Sequence, residues 1–366
     1  MLKKLILFMI LSSCANPGIL FGGNFEAARD SLVVIETETG CRSGILMKMD
    51  DGVFVLTSQN IFKDRLISIK TLSGKALKPV SFEAVSDEQN GLLRIKTDST
   101  EAGKVLFDDG KKTDGEVSIF KTSPRFGIIS ELKGSMQKDG LKLSPAEKNK
   151  PAPAFIETII GSPIISKSGK LLGVVGEKGI PMTQYRWIEI KTDLFGRKNM
   201  AFPVKTGQSW VKLDSKQMAI QCSMISDAEV FLPGFAKIAE QWCQNPYKPI
   251  DMTVDQPEKM KAWIQASNGT IKDIPAIIEK IKDGSGKMGD SMKNVSISEL
   301  KDQARPIGKR LCDFCPFYQR NLTSSSNKWE SPYLKKKAAD LSEVYKAAYE
   351  GICKEFENSI EGKQPL

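Results

Sequence analysis

Residues 27–212 predict an all-β sandwich or barrel, and residues 213–366 a mostly α-helical region. Three observations carry this. Short apolar runs at 33–37, 45–48, 53–57, 66–71, 92–96, 116–121, 127–132, 154–160, 164–166, 171–175 and 186–191 have strand length, and runs spaced like this build antiparallel sheets. Turn chemistry falls between them: Asp50-Asp-Gly52, Ser73-Gly74, Asp108-Asp-Gly110 and Lys138-Asp-Gly140 supply residues that accept tight or left-handed backbone. After Lys212 the apolar spacing becomes helical, with Phe235, Ile238 and Trp242 on one face.

The helical half is read in order. Pro233 is placed at the start of the Phe235 helix, because a proline at the first helical position gives up a donor that has no partner there anyway. Leu334, Ala338, Leu341, Tyr345, Ala348, Ile352 and Phe356 mark a long amphipathic helix near the end, and such a stripe is core-facing. Asp283-Gly-Ser-Gly-Lys-Met-Gly289 and Thr323-Ser-Ser-Ser-Asn327 read as loops. The glycines and Lys287 of the first lack Walker spacing and a preceding strand, so it is no phosphate loop.

The stretch that organises the β half spans residues 157–174. A Gly161-Ser162-Pro163 turn, the apolar pair Ile164-Ile165, a polar Ser-Lys-Ser-Gly tip and a second apolar run ending in Gly173-Val174 make a β-hairpin. Two further segments bear on it. Val53-Phe-Val-Leu-Thr-Ser-Gln-Asn60 is a strand ending in a polar turn, and Asp87-Glu-Gln-Asn-Gly-Leu-Leu-Arg-Ile95 is an acidic turn leading into a strand. Leu32-Val-Val-Ile-Glu-Thr with Arg42-Ser-Gly-Ile45, and Met200-Ala-Phe-Pro-Val204, complete the set.

Taken together and in this order, these five motifs resemble the trypsin-like serine peptidases of bacterial type, over about residues 27–212. The hairpin resembles the nucleophile loop, Gly-Asp/Asn-Ser-Gly-Gly/Ser-Pro-Val. Residues 53–60 resemble the strand ending in Thr-Ala-Ala-His, and 87–95 the strand that carries the orienting carboxylate. The resemblance implies a double β-barrel followed by the helical region. It also implies what has been lost: Ile160 stands at the nucleophile position, Asn60 at the general base and Gln89 at the orienting acid, with Asp87 two residues away from the last. The whole chain contains no histidine. Such a chain resembles a catalytically inactive member, a pseudo-peptidase. Thr158, Gly161 and Ser162 are the candidates for lining a binding cleft.

Ser162 is the hydroxyl nearest the lost nucleophile, and Lys167 and Lys170 are the nearest bases in sequence, but both belong to the hairpin tip. With nucleophile and base both gone, what remains is oxyanion polarisation worth on the order of a thousandfold over water, too little for a useful peptidase.

The N-terminus reads as an export signal. Lys3 and Lys4 precede the apolar run 5–11, too short for a membrane-spanning helix of about twenty residues, and then Ser12-Ser13-Cys14. Leu11-Ser-Ser-Cys14 resembles a bacterial lipobox, which makes Cys14 the lipidation candidate; the alternative is ordinary cleavage near Gly22-Gly23. Residues 1–23 are thus set apart from the two domains, and the mature protein is expected in the periplasm, on the outer membrane or outside the cell.

The net charge of +9 is scattered. The longest basic run, Lys335-Lys336-Lys337, lies on the amphipathic helix among acidic residues and lacks interleaved aromatics, which argues against a nucleic-acid platform. Beyond Cys14 there are six cysteines, Cys41, Cys222, Cys243, Cys312, Cys315 and Cys353, an even number that suits disulfides in an oxidising compartment. Cys312-Asp-Phe-Cys315 has redox spacing but no βαβ context, and a zinc site would lack histidine ligands. No cofactor or metal is expected. Three functions remain: a protein- or peptide-binding or scaffold module, a structural envelope lipoprotein, and a serine-type endopeptidase with a non-standard site.

Overall fold

The computed structural model describes residues 28–38, 40–62, 66–107, 115–123, 128–137, 140–143, 159–179, 197–205, 207–244, 298–299, 302 and 314–360. The first sheet contains β1 (Leu32–Thr37), β2 (Gly40–Met49), β3 (Gly52–Ser58), β4 (Leu66–Thr71), β5 (Pro79–Val85), β6 (Leu92–Thr97) and β13 (Trp210–Leu213), in the order β13-β5-β6-β3-β2-β1-β4. The second contains β7 (Gly115–Ser123), β8 (Ile128–Gln137), β9 (Gly140–Leu143), β10 (Pro163–Ser166), β11 (Leu171–Gly179) and β12 (Arg197–Pro203), in the order β12-β11-β10-β7-β8-β9. All pairings between these strands are antiparallel.

Both sheets curl toward closure. Beyond β4 the chain turns at Gly74 and runs back beside it, with Leu77 N–H donating to Ile69 O at 2.9 Å, and so leads into β5. In the second sheet the outer strands β9 and β12 approach one another. Three helices follow: α1 (Ser215–Gln244), α2 (Phe314–Ser326) and α3 (Pro332–Ile360). The architecture is the expected one, a double β-barrel and then helices. No helix among the described residues is long and apolar enough to cross a membrane.

One main core runs through the first sheet, the inner side of the second and the helices, and a smaller one of Val117, Ile119, Leu141, Ile159, Ile164 and Val175 fills the second barrel. Strand alternation sorts neighbours between them: Ile164 and Val175 face the smaller core, Ile165 and Val174 the main one.

Several expectations need correction. Ile159 and Ile160 form a tight helical turn rather than the end of a strand, since Ser162 N–H bonds back to Ile159 O at 3.0 Å; residues 154–158 and the strand expected at 186–191 lie outside the described residues. β5, β9 and β13 are further strands: β5 alternates Val80, Phe82 and Ala84 as a strand should, and β9 and β13 are only four residues long, short enough to escape a reading of apolar runs. Pro233 lies inside α1, whose 30 residues continue past it, so the helix begins eighteen positions earlier in a Ser-Lys-Gln turn capped by Asp214 Oδ1, which accepts from Gln217 N–H at 2.8 Å. Thr323 to Ser326 are helical, because Thr323 and Ser324 turn their hydroxyls back onto the carbonyls of Gln319 and Arg320 at 2.8 and 2.7 Å. The loop expected at 283–289 lies outside the described residues.

The basic run on α3 is solvated only at Lys335; Lys336 pairs with Asp340 one turn on, and Lys337, largely buried, reaches Glu229 of α1 at 2.7 Å. Among the described cysteines, Cys41, Cys222, Cys315 and Cys353, no disulfide forms. Cys14, Cys312 and the side chain of Cys243 lie outside the described residues. Burial, reinforced by nearby Cys353, pushes the Cys315 thiol far up, the opposite of a redox-active cysteine.

Candidate functional site

β3 delivers Asn60. The strand ends at Ser58, which caps a single 3-10 turn, Gln59–Ile61, by accepting Asn60 N–H on its Oγ at 3.2 Å and donating the same hydroxyl to Asn60 Oδ1 at 3.0 Å. Gln59 N–H donates to Gly91 O at 2.8 Å and ties the turn to the start of β6. Ser58, Gln59 and Asn60 are all buried. Three polar residues in a row at zero to 5% exposure require partners for every group.

The partners come from the helical half. Ser331 Oγ donates to Gln59 Oε1 at 2.5 Å, Tyr333 Oη donates to Asn60 Oδ1 at 3.2 Å, and Cys222 Sγ donates to Gln59 O at 3.3 Å. Ser331 also caps α3, accepting Leu334 N–H at 3.1 Å. The Tyr333 ring stands edge-on to Phe202 of β12, centroids 5.4 Å apart. Both rings press on Gly91, where a Cβ would lie 2.6 Å from Phe202 and 2.9 Å from Tyr333. Asn60 is therefore covered by the first turn of α3.

The hairpin that follows Ile160 approaches the end of β3. Gly161 adopts φ +85°, and a Cβ there would sit 2.4 Å from Thr57 Oγ1, 2.8 Å from Ser43 O and 3.1 Å from Ile61 Cγ2. Only glycine brings the hairpin of the second barrel this close to the end of β3. Ile159 turns into the smaller core and Ile160, 3% exposed, into the main one. Ile160 is an ordinary core side chain, not a cleft wall.

Gln89 does not join them. It is exposed in a turn in which its N–H and that of Asn90 bond to Asp87 Oδ1 and O at 2.9 and 3.1 Å. Asn90 is the buried neighbour, donating to Pro203 O at 3.0 Å and accepting Leu92 N–H at 3.1 Å. Its bonds go to backbone and leave Asn60 to Tyr333. Of the three positions the resemblance singles out, Asn60 and Ile160 are buried on the two elements that approach at Gly161, and Gln89 is exposed in the Asp87 turn.

Ser162 is fully buried and its hydroxyl has no hydrogen-bond partner among the described residues. Lys167 lies at the hairpin tip, 3.9 Å from Glu116 and 87% exposed, far from aiming at Ser162. Gly161 is likewise buried, and Thr158 lies outside the described residues. An open groove of about 960 Å³ between the first barrel and α1 is lined by Phe62, Phe82, Ile220 and Met224 with Lys78 and Lys216, and includes none of these site residues. Among the described residues no cluster of Cys, Asp or Glu is arranged to hold a metal.

Comparisons with solved structures return proteases. The chain is similar to the Rv3671c protease of M. tuberculosis in its active form, at 16% identity over 53% of this chain and 83% of that one, TM-score 0.34. It is similar to Deg5 at 16% identity over 42% and 81%, TM-score 0.31. A catalytically inactive tobacco etch virus protease complexed with substrate matches at 13% identity over 51% and 89%, TM-score 0.32. No family model and no curated protein matches the chain.

Proposed function

We propose that this chain is an exported, non-catalytic pseudo-peptidase that acts as a scaffold or protein-binding module, held at a membrane through Cys14. The observation that carries this reading is the state of the nucleophile position. Ile160 is packed into the main core, and Ser162 is buried with no hydrogen-bond partner among the described residues, in a chain that has no histidine. Attack on a carbonyl needs a hydroxyl within reach of both a base and the substrate. Neither condition is met around residues 160–162. Burial of Gly161 and Ser162 also moves partner binding away from the expected cleft, since buried groups offer a ligand nothing. A protein or peptide partner would engage another surface.

A fluorophosphonate probe tests the non-catalytic reading. The full chain should remain unlabelled and leave a peptide mixture uncut; labelling that disappears in Ser162→Ala would overturn it. Membrane attachment is tested by feeding an alkyne-tagged fatty acid to cells making the wild type and Cys14→Ala. Incorporation that depends on Cys14 is expected, and equal incorporation or none would remove the anchor from the proposal.

A further inference from the structure

We propose that Ser331-Pro332-Tyr333 is an intramolecular ligand for the Gln59–Asn60 turn, a lock that sets the register of the helical half on the first barrel and keeps the degenerate site closed. The inference rests on contacts and stands whether or not the chain hydrolyses anything.

The lock is built from matched polarity. Two carboxamide oxygens, Gln59 Oε1 and Asn60 Oδ1, present acceptors on consecutive residues. Two hydroxyls, Ser331 and Tyr333, present donors two residues apart across the start of α3. Pro332 opens the helix, so the chain bends there and both donors come to one side. In the strand that residues 53–60 resemble, the two residues before the base are alanines. Ser58 and Gln59 stand in their place, and an alanine could make none of these bonds.

A purely apolar seat would hold Tyr333 as well through its ring, which already packs on Phe202 and over Gly91. What the polar pairs add is selectivity. An α3 shifted by one residue would take the hydroxyl donor from the buried Gln59 Oε1 and leave Asn60 Oδ1 with Ser58 alone, and a buried acceptor without its donor is costly. Once α3 lifts, water satisfies all four groups. The contact is therefore strict about register yet able to open below the cost of unfolding the barrels.

Hydrogen–deuterium exchange of the full chain tests the lock. Each hydroxyl–amide bond protects the turn by about fivefold, so Ser331→Ala with Tyr333→Phe should raise exchange at the amides of residues 59–60 and 91–92 by about twenty- to thirtyfold. Amides of β7, β8 and β9 should keep their wild-type rates. Tyr333→Phe alone keeps the ring and the helix cap, and should give about fivefold if the double variant does not fold. Unchanged exchange at residues 59–60 in Tyr333→Phe would overturn the proposal. So would a rise equal across both sheets, which would report lost global stability rather than an opened lock.

Discussion

Replacing Ile160 by serine should damage the fold and bring no peptide cleavage. Ile160 is 3% exposed in the main core, so Ile160→Ser removes three buried carbons and leaves a cavity, a change that costs about 2–5 kcal/mol in comparable sites. The new hydroxyl would enter an apolar pocket, as Ser162 next door already does, and an unpaired buried hydroxyl adds about 1–3 kcal/mol. The expected total is about 4 kcal/mol, a large part of the roughly 5–15 kcal/mol that holds an ordinary domain. Ile160→Val, which deletes a single methyl and adds no polarity, should cost about 1 kcal/mol. Urea unfolding of the three proteins followed by tryptophan fluorescence gives the differences directly, and a peptide-cleavage assay on the folded fraction tests for chemistry. A loss under about 1.5 kcal/mol for Ile160→Ser would mean the position is not packed as described. Cleavage appearing in that variant would mean that a base acts there after all.

Three further outcomes follow from the same contacts. Ser162→Ala should leave stability unchanged or raise it by about 1 kcal/mol in the same unfolding assay, because it removes a buried hydroxyl that bonds to nothing. Arg94 lies between the rings of Phe54 and Trp210 at 4.4 and 4.5 Å and binds Glu83 at 2.7 Å and Asp51 at 2.9 and 3.1 Å. Arg94→Met leaves the largely buried Glu83 carboxylate behind and should cost about 3–5 kcal/mol, whereas Asp51→Asn, at a half-exposed partner, should cost under about 1 kcal/mol. Burial, and then the neighbouring Cys315, raise the Tyr345 hydroxyl well above its ordinary value, and burial raises Cys315 in the same way. Groups raised on folding stabilise below their unfolded values, so stability should hold to about pH 9 and fall above it as the unfolded thiol and phenol ionise first. Tyr345→Phe loses the 2.7 Å bond to Ala228 O but should flatten the part of that fall above about pH 10, measured by urea midpoints across the range.

The parts of this molecule that were legible in its sequence are those whose signal is local. Strand alternation and turn residues gave β1 to β4 and the hairpin of β10 and β11, and the Pro332 helix follows from a seven-residue stripe. Ile160 and Asn60 could be placed because each lies at a fixed offset from a turn motif. Gln89 stands apart from Asn60 and Ile160 because it lies in the Asp87 turn just before β6, which begins at Leu92 as read, and a turn residue there is exposed. Ser331, Tyr333 and Cys222 carried no signal at all: each meets the β3 turn across 163 to 273 residues of chain, and a serine or a tyrosine at the start of a helix looks like a cap or a core ring. Pro233 misled for a physical reason too. A helix of 30 residues with many other bonds absorbs the one bond a proline removes, so a breaker becomes an interior residue.

The side chains at positions 60 and 160 are suited to the packing around them. A working triad needs an imidazole that charges, a carboxylate that holds it, and water or substrate at the nucleophile, and none of these tolerates a dry cover. A histidine at position 60 beneath Tyr333 would have to charge in a pocket that excludes solvent, at the desolvation cost of a buried cation. An asparagine there is neutral at every pH and offers an oxygen that a phenol hydroxyl can meet. An isoleucine at position 160 likewise turns the place where substrate would sit into core. An amide at position 60 beneath Tyr333 and an aliphatic side chain in the core at position 160 thus both suit a dry, closed surrounding, which a charging imidazole would not.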